Sequence, residues 1–201
     1  MVKEILRLIE FQNILETGTH YGSSTNYFRN IFQGPVHSVE INPHYFWYNK
    51  FRFLNKREVK IWKSNSVDFL KKISKDRRGF TVPTFFYLDA HWRDYLPLRD
   101  ELETIFAHWP DSVVMIDDFR VEEDPDYAYD DYGPGKVLSL DYLRSLRKFE
   151  FAIFFPSIPA LEETGKRRGS VVLTSTPGYA EVLKSAESLR FFGTSKSLPA
   201  P

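Results

Sequence analysis

The chain has 201 residues, in which 27 Lys and Arg are balanced by 27 Asp and Glu, and it contains no cysteine. This length suits one domain with a buried core, and the zero net charge argues against a polyanionic partner such as DNA or RNA. The lack of cysteine excludes disulfides and thiolate metal sites. No stretch is apolar for long enough to be a signal peptide or a membrane span. We therefore expect a cytoplasmic protein without a membrane partner.

Short apolar runs alternate along the chain with segments of helical spacing. The runs predict seven strands: Asn13–Leu15, Val36–Glu40, Val59–Trp62, Phe85–Leu88, Val113–Ile116, Phe151–Phe155 and Ser170–Thr174. The other segments predict six helices: Ser23–Ile31, Pro43–Leu54, Ser66–Ile73, Leu98–Ala107, Asp141–Arg147 and Tyr179–Arg190. This alternation predicts an α/β fold with a Rossmann-like, doubly wound, mostly parallel sheet.

The last two predicted strands have no helix between them, which indicates an antiparallel hairpin at the edge of the sheet. No internal repeat or second domain is evident. We therefore expect a single domain over residues 1–194, followed by a frayed polar tail over residues 195–201.

The first third of the chain has the pattern of a nucleoside-binding βαβ unit. The first strand leads into Glu16, Gly18 and Gly22, and the second strand ends at Glu40. Glycines let the backbone approach a ligand, and an acid at the tip of the second strand accepts hydrogen bonds from two ribose hydroxyls. The glycine spacing differs from the dinucleotide fingerprint, and an acid that opens the loop would repel a phosphate. It suits the ammonium and sulfonium charges of S-adenosylmethionine, which is the cofactor we predict.

Acidic residues also follow the fourth and fifth strands. Asp89 comes directly after the fourth strand, and the pair Asp117 and Asp118 ends the fifth. Because ligands bind at the carboxyl ends of the strands in such sheets, the three carboxylates are candidate ligands of one hard cation, Mg²⁺ or Ca²⁺. The alternative is structural, with Asp118 capping the next segment and Asp117 holding a loop.

These motifs resemble the class I S-adenosylmethionine-dependent methyltransferases. Within them, the chain is similar to the metal-dependent small-molecule O-methyltransferases, such as catechol O-methyltransferase and the sugar O-methyltransferases of macrolide pathways. The likeness rests on the segments 16–24, 39–45 and 88–97 and on the acids at 117 and 118, and it covers roughly Ile14 to Phe119.

The resemblance implies a set of site residues. The implied cofactor-binding residues are Glu16, Gly18, Gly22, Ser24, Glu40, Ile41, Asn65, Ser66, Asp89, His91 and Trp92. The implied metal ligands are Asp89, Asp117 and Asp118, and Asp89 and His91 are the implied catalytic residues. Where catechol O-methyltransferase has a lysine base, this chain has Arg93, and arginine does not act as a base near neutral pH. His91 is therefore the candidate base, with a structural or adenine-facing role as the alternative.

The resemblance also indicates how the site is covered. Few residues precede the first strand, so we expect the acidic, tyrosine-rich segment Val121–Gly135 to close over the acceptor, or a second subunit of a homodimer to do so. Its tyrosines, Tyr127, Tyr129 and Tyr132, would line the acceptor; the alternative is a solvated insert. The basic run Lys166–Arg168 is expected to neutralise part of the acidity of this segment.

The leading functional prediction is metal-assisted O-methylation of a small-molecule hydroxyl. The first alternative is a non-catalytic protein of the same fold that binds S-adenosylmethionine or S-adenosylhomocysteine. A methyltransferase for RNA or protein is less favoured, since Leu88–His91 stands where amino-methylating enzymes carry an Asn-Pro-Pro-Tyr motif.

Overall fold

A computed structural model describes residues 1–75, 82–91, 95–146 and 148–198. The architecture is α/β, with an eight-stranded, mostly parallel sheet that carries antiparallel strands at its edge. The described residues form two compact units. One covers Glu10–Ser112 and is called the 10–112 unit; the other combines Met1–Ile9 with Val113–Pro201 and is called the 113–201 unit. The expected single domain over residues 1–194 stays a prediction.

The elements agree closely with those predicted in the first part of the chain. The helices are α1 Val2–Leu8, α2 Ser23–Ile31, α3 Pro43–Arg52, α4 Ser66–Ile73, α5 Leu98–His108, α6 Leu140–Leu143 and α7 Pro177–Lys184. The strands are β1 Asn13–Thr17, β2 Val36–Glu40, β3 Val59–Lys63, β4 Thr84–Leu88, β5 Ser112–Asp117, β6 Ala152–Pro156, β7 Ser170–Thr174 and β8 Leu189–Thr194. No helix of the described residues is long and apolar enough to cross a bilayer.

The 10–112 unit is built on four parallel strands in the order β3-β2-β1-β4. In the register of β1, Ile14 lies opposite Val36 of β2 and Phe85 of β4. Every residue of β1 and β4 is buried, as expected for parallel strands covered on both faces. Because the strands are parallel, their carboxyl ends lie at one edge of the unit, and that edge carries the candidate site.

The 113–201 unit has antiparallel strands in the order β5-β7-β6-β8. The predicted hairpin of β6 and β7 is confirmed. The unit also contains α1, which the sequence analysis did not predict. The carboxylate of Glu4 in α1 accepts hydrogen bonds of 2.9 Å from the backbone N–H groups of Glu187 and Ser188.

The sequence analysis was wrong about the end of the chain. Helix α7 ends at Lys184, and residues 189–194, partly assigned to that helix, form the eighth strand. This strand has a single buried residue, Leu189, so it lacks the alternation by which a half-buried strand is recognised. The expected frayed tail is packed at its start, where Ser195 and Leu198 are buried; residues 199–201 lie outside the described residues. Helix α6 is also shorter than predicted, and Arg147 lies outside the described residues.

Candidate functional site

The loop after β1 is shaped by two glycines in the left-handed region. Gly18 has φ +87°, and a Cβ at this position would lie 2.2 Å from the carbonyl oxygen of Asp89. Its backbone N–H donates to the carbonyl of Val39 at 3.0 Å. Gly22 has φ +70°, and a Cβ there would lie 2.2 Å from Oδ1 of Asn49. Glycine is therefore required at both positions for conformation and for space.

Asn49 of α3 braces this loop. Its Nδ2 donates to the carbonyl of His20 at 2.6 Å and to the carbonyl of Tyr45 at 2.9 Å, and the side chain is fully buried. The sequence analysis missed this residue. The signal was present, since Asn49 is a polar residue between Phe46 and Phe53 at the spacing of the buried helix face.

Glu40 ends β2 and is 6% exposed. Its Oε2 accepts the backbone N–H of His20 at 2.8 Å, and its Oε1 accepts that of Asn42 at 2.7 Å. His20 itself has φ +47°, an uncommon conformation for a residue other than glycine. A carboxylate oxygen has two lone-pair positions, so each oxygen of Glu40 is oriented and keeps capacity for a further donor. Each oxygen can therefore accept a donor from a ligand in addition to its backbone N–H group.

Glu16, near the end of β1, is fully buried. The hydroxyl of Thr25 donates to its Oε2, while its Oε1 has no hydrogen-bond partner among the described residues. Burial raises the pKa of Glu16, and the hydroxyls of Ser24, Ser38 and Thr25 oppose that rise. A buried acceptor without a partner is costly, so Oε1 is suited to a donor on a ligand, such as an ammonium group.

The other predicted cofactor-binding residues have different environments. Ile41 directly follows Glu40 and is 58% exposed, so its apolar side chain is accessible to a ligand. Asn65 caps α4, with its Oδ1 accepting the backbone N–H of Asp68 at 2.8 Å. The Ser66 side chain is buried. Ser24 is half-buried in the first turn of α2, whose Gly22 N-cap provides no side-chain cap.

The tip of β4 carries Asp89 and His91. Nε2 of the buried His91 lies 3.7 Å from Oδ1 of Asp89, so an acid stands beside the candidate base. Trp92 and Arg93 lie outside the described residues, so the predicted contact of Trp92 with the cofactor stays a prediction. No described contact assigns His91 to catalysis, and its role as a base also stays a prediction.

A buried acid that the sequence analysis missed lies on α5. Glu101 is 1% exposed, and burial raises its pKa, opposed by the hydroxyls of Ser66 and Thr17 and by His91. Thr17 ends β1 and Ser66 begins α4, so Glu101 connects two of the loops named above. Its position in an amphipathic helix, after Leu98 and before Ile105, was the available signal.

In the 113–201 unit, Asp117 ends β5 and Asp118 follows with φ +55°. The guanidinium of Arg168 forms ion pairs with Asp118 and with Asp130, and both raise the pKa of Arg168. The expectation that the basic run neutralises the acidic segment is therefore correct for Arg168. It also means that Asp118 already has a cationic partner.

The segment Val121–Gly135 is tied down within its unit. The backbone N–H of Asp130 donates to the carbonyl of Asp118 at 2.9 Å, and that of Ala128 donates to the carbonyl of Arg167 at 2.8 Å. Tyr127 is 3% exposed, and its hydroxyl donates to the carbonyl of Ile158 at 2.9 Å. The prediction that Tyr127 lines an acceptor site is therefore wrong, because its ring is part of the interior.

The described cofactor residues all belong to the 10–112 unit. Glu16, Gly18, Gly22 and Glu40 surround a single loop, braced by α3. The three predicted metal ligands are divided, with Asp89 in the 10–112 unit and Asp117 and Asp118 in the 113–201 unit. Whether they share one ion stays a prediction.

Comparison with known proteins identifies the fold. No protein-family model and no curated protein sequence matches the chain. Among solved structures, it is similar to an O-methyltransferase from Bacillus cereus in complex with S-adenosylhomocysteine, with 18% identity over 86% of this chain and 78% of that one and a TM-score of 0.58. A candidate caffeoyl-CoA O-methyltransferase from Staphylococcus aureus shares 16% identity over 86% and 79% of the two chains, with a TM-score of 0.56.

An rRNA methylase from Streptococcus thermophilus is also similar, with 12% identity, coverage of 87% of this chain and 93% of that one, and a TM-score of 0.51. The chain therefore has the Rossmann-like fold of the class I methyltransferases. Because these neighbours act on different classes of acceptor, the fold does not determine the substrate.

Proposed function

We propose that the protein is an S-adenosylmethionine-dependent methyltransferase that methylates a hydroxyl of a small molecule. The observation that carries this proposal is Glu40, whose two carboxylate oxygens are each held by one backbone N–H at the tip of β2. This carboxylate would accept the two ribose hydroxyls. The loop at Gly18 would bring the backbone close to the methionine part of the cofactor.

The residues present fit this cofactor in two further respects. Glu16 Oε1, a buried acceptor without a partner among the described residues, would receive the ammonium group of the methionine part. The start of α2, where Ser24 lies, would receive its carboxylate, since helix N-termini favour anions. When bound, S-adenosylmethionine supplies an electrophilic methyl group, and the protein must align the acceptor with it.

Proton removal from the acceptor is assigned to His91. The ring lies beside Asp89, and a carboxylate next to a histidine stabilises the imidazolium that forms when the ring takes a proton. Metal assistance through Asp89, Asp117 and Asp118 belongs to the proposal as well. In that case Mg²⁺ would acidify and orient the acceptor hydroxyl.

A second candidate function is favoured by the ion pair of Arg168 with Asp118. With Asp118 already neutralised, the chain would keep its cofactor site and lack the metal. It would then act as a protein that binds S-adenosylmethionine or S-adenosylhomocysteine without turnover.

The test is calorimetry of both nucleosides with the wild type, Glu40→Ala and Glu40→Gln. Removing a hydrogen-bonding partner of a buried donor costs about 1–3 kcal/mol, so Glu40→Ala should weaken the Kd by roughly tenfold or more. Glu40→Gln keeps one acceptor oxygen and should weaken it less. Glu181→Ala, at an exposed acid of α7, is the matched control and should leave the Kd unchanged.

The outcomes distinguish the candidates. If the wild type binds neither nucleoside, both candidates are wrong; if Glu40→Ala binds as tightly as the wild type, the nucleoside is not held at the tip of β2. If binding is confirmed, a screen of hydroxyl acceptors with and without Mg²⁺ separates them, because only the enzyme converts S-adenosylmethionine to S-adenosylhomocysteine.

A further inference from the structure

One surface of the 10–112 unit concentrates large exposed apolar side chains. Helix α3 and the turn that follows it expose Trp47, Tyr48, Phe51 and Leu54, which are called the α3 face here. Their exposed fractions are 55%, 46%, 71% and 74%, respectively. The rings of Trp47 and Phe51 lie 6.3 Å apart. Neighbouring large apolar side chains with this exposure indicate a binding surface rather than scattered surface residues.

Helical spacing places Trp47 and Phe51, four residues apart in α3, on one face. Leu54 lies in the turn after the helix and is also exposed, while Phe46 and Phe53 turn into the core. The apolar surface is therefore not needed for packing within the unit, whose side of α3 is already filled.

The segment that carries this face is rich in cations. Residues 41–63 contain six Lys or Arg and one acid, in a chain whose net charge is zero. Three exposed cations, Lys50, Lys56 and Arg57, line a shallow cleft together with Leu54. The partner of this surface must therefore be apolar and negatively charged.

We propose that the α3 face docks the protein onto an anionic lipid surface. Trp, Phe and Leu enter the boundary between headgroups and acyl chains, while neighbouring Lys and Arg side chains pair with acidic headgroups. This inference is independent of the proposed function. The sequence analysis expected no membrane partner because no spanning segment was found, but contact with a lipid surface needs none.

Two other occupants are disfavoured by the same residues. Single-stranded nucleic acid stacks on aromatic rings, whereas Leu54 is the most exposed side chain of the α3 face and offers no ring. A second copy of the chain in a two-fold arrangement would bring the cations of the surface against themselves. An anionic lipid surface can pair with the cations of this surface and can also take up the aliphatic side chain of Leu54.

Sedimentation with vesicles tests the proposal. The full chain should sediment with vesicles that contain phosphatidylserine and not with vesicles of phosphatidylcholine alone. Binding should fall by about tenfold or more between low and high salt, because the attraction to the headgroups is screened. Phe51→Ser with Leu54→Ser, and separately Lys56→Glu with Arg57→Glu, should each reduce binding by about tenfold or more.

The matched control is Leu161→Ser, since Leu161 is 63% exposed in the 113–201 unit. It should bind vesicles like the wild type, and circular dichroism should show that all variants are folded. The proposal is overturned if folded wild type ignores the anionic vesicles or if the two double variants bind as it does. It is also overturned if the α3 face instead drives dimerisation in ultracentrifugation or binds single-stranded RNA more tightly than vesicles.

Discussion

At the scale of single residues, the site depends on acids that are held in place before any ligand arrives. Glu40 accepts two backbone N–H groups, and Glu16 accepts the hydroxyl of Thr25. Among the residues that the structure describes, His20 and Asp118 are the two other than glycine with positive φ, and both belong to loops that carry candidate ligands. Such conformations are costly and often mark functional positions, which supports the choice of these loops.

Glu101 gives a prediction about pH. Burial raises its pKa in the folded protein above the ordinary value of 4.5. The folded state therefore holds the proton more tightly than the unfolded state, and this contribution to stability is complete below about pH 4.5 and is lost as the pH rises through the folded pKa. Glu101→Gln, which is neutral throughout, should melt at a higher temperature than the wild type at pH 8.

The measurement is thermal unfolding of both proteins between pH 4 and pH 8, where each 1 kcal/mol shifts Tm by roughly 2–4 °C in a chain of this size. The Tm values of the two proteins should converge at the acid end of this pH range. Glu181→Gln, at an exposed acid, is the control and should follow the wild type. A Glu101→Gln variant that is less stable than the wild type at pH 8 would show that the ionised carboxylate is needed.

At the scale of the elements, much of the 10–112 unit was predictable. Strand β2 and helices α2 and α4 have the predicted bounds. These elements combine regular periodicity with clear end signals, such as Gly22 before α2 and Asn65 before α4. The misses, α1 and β8, are a seven-residue helix and a strand with one buried residue, where local pattern is weak and contacts between distant segments decide.

Candidate site residues that stand at a strand end could be predicted from the sequence. Contacts between residues far apart along the chain could not. Glu16, Gly18 and Glu40 stand at strand ends in a spacing that can be read directly. The pairing of Arg168 with Asp118 joins residues 50 positions apart, and no local pattern encodes it. For the same reason Tyr127 was assigned to the acceptor, although its hydroxyl is bound to a carbonyl 31 residues away.

The glycine loop gives a prediction at this scale. Gly18→Ala combines a positive φ with a backbone contact of 2.2 Å, so it should destabilise the protein by more than about 3 kcal/mol or displace the loop and abolish cofactor binding. The matched control is Gly133→Ala, where φ is +99° and no described atom lies within 4 Å of the new Cβ. Gly133→Ala should lower the free energy of unfolding only through conformational strain, by about 1 kcal/mol.

Chemical denaturation and calorimetry of the cofactor measure the two effects. Equal losses of stability in the two variants would mean that the positive φ alone, and not the close contact with Asp89, requires glycine at position 18. A Gly18→Ala variant with the stability and affinity of the wild type would contradict the close approach of the loop to Asp89.

At the scale of the whole molecule, the net charge conceals two opposite regions. Residues 41–63 carry six cations and one acid, whereas residues 117–131 carry eight acids and one cation. The balanced total therefore says little about partners, because association depends on local fields rather than on the sum. A net charge of zero excludes a uniformly basic protein, but it is compatible with a basic face.

The acidic region leads to the metal prediction, which involves residues of both units. Arg168 supplies a positive charge to Asp118 and Asp130, so a divalent cation at Asp118 must compete with a guanidinium. If Asp89, Asp117 and Asp118 share Mg²⁺, Asp118→Asn should weaken Mg²⁺ binding by about tenfold or more, because a carboxylate ligand is lost. Arg168→Gln should strengthen Mg²⁺ binding, because the competing charge is removed.

Calorimetry with MgCl₂ measures both variants, and Arg167→Gln, the neighbouring exposed cation, is the control that should bind Mg²⁺ like the wild type. Arg168→Gln should also lower the free energy of unfolding by on the order of 1–2 kcal/mol, and with it Tm, since two partly exposed carboxylates lose their partner. A protein that gains no Mg²⁺ affinity from Arg168→Gln and only loses stability would contradict the metal site. In that event Arg168 is the cation that Asp118 and Asp130 bind, and the methyl transfer proposed above would proceed without a metal.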